Sequence, residues 1–202
     1  MDRSNGYEEH AGDFMRARNP SIGPDVVREW ALRLSPRATV LELGCGHGVI
    51  SQVLVDAGLE LFGVDASPTL LTAFRQRFPQ APAECAGAED STYFDRTFDA
   101  VVAWGLLFLL PAEAQRTVIC KASAALVPGG RFLFTAPREA VGWADALTGR
   151  ESRSLGAREY VSLLHGACCE VEHGRTDSGD NYYFFATRRS YRMKKNETAT
   201  IT

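Results

Sequence analysis

The sequence predicts an α/β protein built on a doubly wound, mainly parallel seven-stranded sheet with an antiparallel last strand. Three observations lead there. Short, near-continuous apolar runs alternate with stretches whose apolar residues recur at helical spacing, as expected for strands buried on both faces and joined by crossover helices. The first of these strands runs directly into a glycine-rich turn, Gly44-Cys45-Gly46-His47-Gly48, that opens a helix. The last two apolar runs are separated only by the turn-rich Thr176-Asp177-Ser178-Gly179-Asp180-Asn181 and read as a closing antiparallel hairpin.

Taken in order, residues 1–37 precede the first strand and read as a helical cap. Within it Tyr7, Ala11, Phe14 and Arg18 share one helical face. Strands are expected at 39–43, 59–64, 83–86, 98–104 and 131–135. Val49, Ile50, Val53, Leu54 and Ala57 form the stripe of the helix after the first strand, which Gly58 ends. In the next helix Ser67 is the cap, Pro68 takes the first position, and Leu70, Leu71, Phe74 and Phe78 face inward until Pro79 stops it. A helix over 111–126 buries Ala114, Val118, Ile119, Ala122 and Ala125 and leaves through Pro128-Gly129-Gly130. The periodicity breaks over 137–155, read as a lid insertion, and resumes in a helix over 157–166 before the hairpin at 169–173 and 182–188. Residues 1–189 therefore make one domain, and the polar stretch 190–202 is expected to be a disordered tail.

Composition removes several function classes. The chain has 202 residues, 45% apolar and 23% charged, which suits one domain with an adequate core. Its formal net charge of −3 gives no cationic surplus for a nucleic-acid backbone. The first twenty residues carry no apolar run and no later stretch reaches membrane-spanning length, so no membrane partner is expected and the cytoplasm is the expected compartment. Five cysteines without paired C-x-x-C spacing and four scattered histidines predict reduced thiols and no metal site.

The chemistry concentrates in the glycine turn. Glycines at 44, 46 and 48 let the backbone turn tightly and bring a ligand against main-chain N–H groups. The next strand ends in Gly63-Val64-Asp65, which places a carboxylate where a ribose diol would lie. A nicotinamide dinucleotide is one candidate ligand, but Val49 stands where its fingerprint needs a third small residue. Glu42, just before the turn, is poorly placed beside a pyrophosphate and well placed near a cationic ligand.

From Val40 to Arg188 the chain resembles the class I (Rossmann-like) S-adenosylmethionine-dependent methyltransferases of the small-molecule type. Glu42-Leu43-Gly44-Cys45-Gly46-His47-Gly48 is similar to their first motif, and Phe62-Gly63-Val64-Asp65-Ala66-Ser67 to the acidic end of their second strand. Phe98-Asp99-Ala100-Val101-Val102-Ala103-Trp104-Gly105 and Leu126-Val127-Pro128-Gly129-Gly130-Arg131-Phe132-Leu133-Phe134 look like their fourth strand and the entry to their fifth. The resemblance implies S-adenosyl-L-methionine as cofactor. It gives Gly44, Cys45 and Gly46 to the methionine portion, with Glu42 and His47 beside it, Asp65 to the ribose hydroxyls and Ala66 to the adenine. The family's usual acid after the third strand is replaced by Gly87, so Glu89, preferred over Asp90, is expected to meet the adenine amino group with the Ala88 N–H beside it. Trp104 would wall either cofactor or acceptor.

The acceptor is expected to be small and partly apolar, enclosed by Tyr7, Phe14, Trp104, Phe108, Arg138 and Trp143. Ala103-Trp104-Gly105-Leu106 stands where the amino-methylating DNA and glutamine enzymes carry N/D-P-P-Y/F, and no Pro-Cys nucleophile pair is present. His10 and Tyr7, with Glu9, are candidate bases, and no catalytic residue is fixed. A monomer or homodimer is expected. A noncatalytic S-adenosylmethionine-binding scaffold and a NAD-dependent oxidoreductase stay open as alternatives.

Overall fold

The computed structural model describes residues 3–17 and 23–190; Arg18 and, of the expected tail over 190–202, residues 191–202 lie outside the described residues. The seven-stranded sheet is built from β1 (Thr39–Leu43), β2 (Glu60–Asp65), β3 (Ala83–Cys85), β4 (Phe98–Ala103), β5 (Leu126–Thr135), β8 (Cys169–Thr176) and β9 (Tyr182–Arg188). Its order is β3-β2-β1-β4-β5-β9-β8. Pairing is parallel from β3 to β5, while β9 runs antiparallel to both β5 and β8. The expected doubly wound architecture with a reversed last strand is what forms. The chain leaves β1 toward β2 and β4 lies on its other side, so the order reverses between β1 and β4 and opens a crevice at their C-terminal ends.

Side chains alternate across the strands and divide the core into two layers. Val40, Ala100, Val102 and Leu133 face α2 (Pro24–Ala31), α3 (Val49–Asp56) and α4 (Pro68–Arg77), which bury Val27, Trp30, Ile50, Leu54, Leu71 and Phe74 there. Leu41, Leu43, Val101, Phe132, Phe134 and Phe184 face α5 (Ala112–Ala124) and α6 (Ala157–Gly166). Ser67 caps α4 by accepting from Leu70 N at 3.1 Å, with Pro68 in the first turn, as the sequence indicates. Thus α2 is part of the core layer, and among the described residues before β1 those that line the crevice belong to 3–17, with α1 (Ala11–Ala17). Among the described residues no helix is long and apolar enough to cross a membrane.

Two elements differ from the sequence reading. Strand β5 begins at Leu126 rather than Arg131: Phe98 pairs with Leu126 and Ala100 with Arg131, so Pro128-Gly129-Gly130 is looped out as a bulge and the strand continues past it. The stretch 137–155 contains an antiparallel hairpin, β6 (Ala140–Ala144) with β7 (Glu151–Leu155). Strand β6 is mostly exposed and the buried residues of β7 are the polar Ser152 and Ser154, so no apolar alternation marks it. A buried polar network holds its base. Gln115 Nε2 donates to the carbonyls of Leu110 (2.8 Å) and Arg153 (2.9 Å), and Tyr160 OH donates to Gln115 Oε1 (2.6 Å) while accepting from Leu155 N (3.1 Å). Tyr160→Phe would leave the Leu155 N–H and the Gln115 oxygen without that partner inside the protein. We expect it to cost about 1–3 kcal/mol of stability in urea unfolding, although only one oxygen is removed.

Candidate functional site

At the end of β1 the chain turns through Gly44 (φ 70°), Gly46 (φ 54°) and Gly48 (φ 92°), left-handed conformations that glycine adopts without penalty. Gly44 N and Cys45 N both donate to Val64 O (2.8 and 3.1 Å), tying the turn to β2. A side chain at Gly48 would strike Phe78, with its Cβ 2.2 Å from Cε2. At Gly46 a Cβ would meet only Phe14 Cε1, at 3.6 Å, so this glycine opens onto the crevice.

Two buried carboxylates flank the turn. Asp65 closes β2; its Oδ2 accepts from Gly46 N (2.7 Å) and its Oδ1 from Ser67 N (2.8 Å). Burial raises its affinity for a proton and those two amides oppose the rise. Glu42 takes a hydrogen bond from Ser51 Oγ at 2.6 Å, and loss of solvent pushes its pKa up to about 8, with the negative charge of Asp65 adding to the effect. Burial likewise pushes the Cys45 thiol up, which makes it a neutral wall rather than a nucleophile.

Residues 3–17 are strapped across this turn by side chains. Glu8 accepts from Ser67 Oγ, from Thr69 N (3.1 Å) and from Thr69 Oγ1 (2.7 Å), so it adds a second cap to the start of α4. Arg3 pairs with Glu89 (2.9 Å) and Asp90 (2.8 Å), Tyr7 OH donates to Asp145 Oδ2 (3.2 Å), and Glu9 meets Arg150 (3.5 Å). The rings of Tyr7 and Phe14 meet edge to face at 5.2 Å, and Phe14 stands 5.7 Å from His47. The strap therefore leans on both the sheet edge and the β6–β7 hairpin, and encloses a cavity of about 180 Å³ over the glycine turn.

The opposite wall comes from the ends of β4, β5 and β9. Trp104 Nε1 donates to Tyr183 OH (2.8 Å), and Gly105 N donates to Thr135 Oγ1 (2.8 Å), which fixes the turn after β4. Phe108 packs on Trp143 with ring centres 5.6 Å apart.

Of the residues singled out as cofactor candidates, Glu42, Gly44, Cys45, Gly46, His47, Asp65, Ala66 and Trp104 all line this cavity. Ala88 and Glu89 do not line it. Ala88 is buried in the core with its carbonyl accepting from Tyr93 OH (2.8 Å), and Glu89 is turned to Arg3, which itself reaches the cavity wall. Of the acceptor candidates, Tyr7, Phe14, Trp104 and Phe108 line the cavity. Arg138 instead lies exposed over the Tyr182 ring, 5.2 Å from its centre, and Trp143 backs Phe108 from outside the lining. His10 and Glu9 also fall outside it. Arg3, Asn5, Thr135 and Asn181 join the wall without having been singled out. Asn181 was within reach of sequence reasoning, because a hairpin ending in an antiparallel last strand returns its turn to the edge where the parallel strands finish. Arg3 and Asn5 carry no such signal. Among the described residues no group of His, Cys, Asp and Glu is arranged to hold a metal ion.

Residues 40–130 match the family model of a methyltransferase domain. An uncharacterized methyltransferase of Mycobacterium tuberculosis (strain ATCC 25618 / H37Rv) is 34% identical over 149 residues, 72% of this chain and 58% of the relative. A ubiquinone biosynthesis O-methyltransferase of Xanthomonas axonopodis pv. citri is 32% identical over 159 residues, 73% of this chain and 65% of the relative. The chain thus spans little more than half the length of the mycobacterial relative. The crystal structure of an S-adenosylmethionine-dependent methyltransferase from Clostridium acetobutylicum shares the fold with a TM-score of 0.70 over 91% of this chain and 99% of that one, at 13% identity.

Proposed function

We propose that the chain, whose residues 40–130 match a methyltransferase-domain model and whose fold is shared with an S-adenosylmethionine-dependent methyltransferase, is a class I S-adenosylmethionine-dependent methyltransferase that transfers the methyl group of S-adenosyl-L-methionine to a small, partly apolar acceptor by in-line displacement. The observation that carries this reading is the cradle itself. Gly46 is open to the cavity, Asp65 stands beside it with lone pairs to spare for a diol, and Glu42 supplies a buried carboxylate for a cationic ligand. A pyrophosphate would face the Asp65 carboxylate and would keep Glu42 protonated, so the wall offers it no counter-charge, which disfavours the dinucleotide alternative.

The bound cofactor supplies a methyl group already activated on a sulfonium. The protein's work is then to hold, orient and keep dry. Asp65 and the turn fix one reactant, while Trp104, Phe108 and Leu106 wall the space beyond the ends of β4 and β5 where an acceptor lone pair would face the methyl carbon. Tyr7 and Phe14 close that space from above and exclude water. The ionisable side chains in the described wall are Arg3, Tyr7, Glu42, Cys45, His47 and Asp65, all in the strap or on the β1–β2 side. An acceptor that is a nucleophile without prior deprotonation therefore suits the site.

Calorimetric titration with S-adenosylhomocysteine and with NAD tests the cofactor, since only a ligand of the native state stabilises it. Tight binding of the first and none of the second is expected. Formation of S-adenosylhomocysteine from S-adenosylmethionine across an acceptor panel separates the enzyme from a noncatalytic binder. Gly46→Val should lower S-adenosylhomocysteine affinity at least about tenfold, because a β-branched side chain at positive φ is strained and its methyls enter the cavity beside Phe14. Circular dichroism on the same sample checks that the fold persists.

A further inference from the structure

The turn between β8 and β9 reaches the cavity through Asn181, and one carboxylate organises it. Asp177 Oδ1 accepts from Gly179 N (2.8 Å) and Asn181 N (3.0 Å), and the Asn181 amide nitrogen bonds both Asp177 oxygens (3.1 and 3.0 Å). Asp177 Oδ2 also accepts from Tyr183 OH at 2.8 Å, and that hydroxyl accepts from Trp104 Nε1 at 2.8 Å. Burial alone would raise the Asp177 pKa, but the bonds from Asn181, Tyr183 and Gly179 hold it below the usual carboxylate range, so the group stays charged and the network intact.

This arrangement settles the orientation of Asn181. Its Nδ2 turns one N–H to the Asp177 carboxylate, which fixes the other end of the amide as the carbonyl oxygen Oδ1, an acceptor at a residue that lines the cavity. Around it the wall from β4, β5 and β9 holds Trp104, Leu106, Phe108 and Thr135 and no ionisable side chain. A charge placed there would be desolvated without a partner, whereas a flat apolar ring would pack on Trp104 and Phe108.

We propose that Asn181 is a specificity-determining residue of the acceptor site: its Oδ1 accepts a hydrogen bond from the N–H of an uncharged aromatic amine packed against Trp104. The amine lone pair forms the N–CH3 bond as the S–CH3 bond breaks, S-adenosylhomocysteine leaves, and the resulting ammonium gives its surplus proton to solvent. Asp177 is the positioning residue, holding the polar side of the site through Asn181 and the apolar side through Tyr183 and Trp104. The inference rests on the methyltransferase reading and narrows its acceptor to neutral aromatic amines.

The test uses the full chain saturated with S-adenosylhomocysteine and three probes followed by ligand-observed NMR: para-toluidine, N,N-dimethyl-para-toluidine, which lacks the donor, and para-aminobenzoate, which adds a charge. Para-toluidine should bind about fivefold more tightly than either of the others. In Asn181→Leu the preference for toluidine over its dimethyl analogue should vanish while S-adenosylhomocysteine affinity stays within about twofold, the scale of a neutral hydrogen bond being confined to the acceptor end. Asp177→Asn should reduce the same preference and shift the tryptophan emission, because Trp104 loses its anchored partner. A wild-type protein that does not distinguish the probes, or that binds none of them, overturns the proposal, as does an Asn181→Leu variant that keeps the preference. Failure to bind S-adenosylhomocysteine at all would instead overturn the methyltransferase reading.

Discussion

Asp65→Ala is expected to weaken S-adenosylhomocysteine binding by more than about a hundredfold while leaving a folded protein. Two losses combine. The carboxylate would take the ribose hydroxyls through charge-assisted bonds, together on the order of 3 kcal/mol. It also holds the turn, since its two oxygens already accept from Gly46 N and Ser67 N, and each oxygen has a second lone pair for the ligand. Asp65→Asn separates the effects: it keeps the shape but turns an N–H₂ toward one of two backbone donors, so affinity should fall to an intermediate value. Calorimetry on both variants, with circular dichroism as the folding check, decides it. Unchanged affinity in Asp65→Ala would reduce Asp65 to a loop clamp.

Cofactor binding near neutral pH should release a proton from Glu42. In the free protein this carboxyl holds its proton up to about pH 8, because it is buried and stands near Asp65. A sulfonium and an ammonium placed in the cavity would favour the carboxylate and pull that value down, so affinity should rise with pH toward 8. Titrations in buffers of different ionisation enthalpy read the proton count, and Glu42→Gln should abolish the release and weaken binding. The same group gives a stability effect of opposite slope. Native Glu42 keeps its proton to about pH 8 while in the unfolded chain it loses it near the ordinary 4.5. Between those values the native state binds more protons, so the contribution to stability is complete below pH 4.5 and is lost as pH rises toward 8. Glu42→Gln should therefore be relatively more stable than the parent at pH 8 than at pH 5, measured by urea unfolding at both. Equal slopes for the two proteins would show that Glu42 is not the group responsible.

The β1–β2 side of the cavity was legible because its residues are close in sequence to the elements that place them. Glu42, Gly44, Gly46 and Asp65 sit at the ends of two apolar strands whose order and direction follow from periodicity, and a parallel sheet leaves one edge for them to occupy. Glu89 shows where such reasoning stops. Its position after β3 leads to the expectation that it meets the adenine, whereas its side chain is taken by Arg3, a partner 86 positions away in the chain.

What the sequence alone determined is the parallel sheet, its reversed last strand, the glycine turn and the two carboxylates beside it, all set by local spacing and by which residues must be buried. Only the tertiary structure decided how residues 3–17 strap over that turn, how a polar hairpin stands on Gln115 and Tyr160, and how Asp177 reaches Trp104 through Tyr183. Those features rest on polar side chains from distant segments, whose hydrogen bonds are worth making only once burial has removed the water that would otherwise compete for them, and no periodicity records that choice.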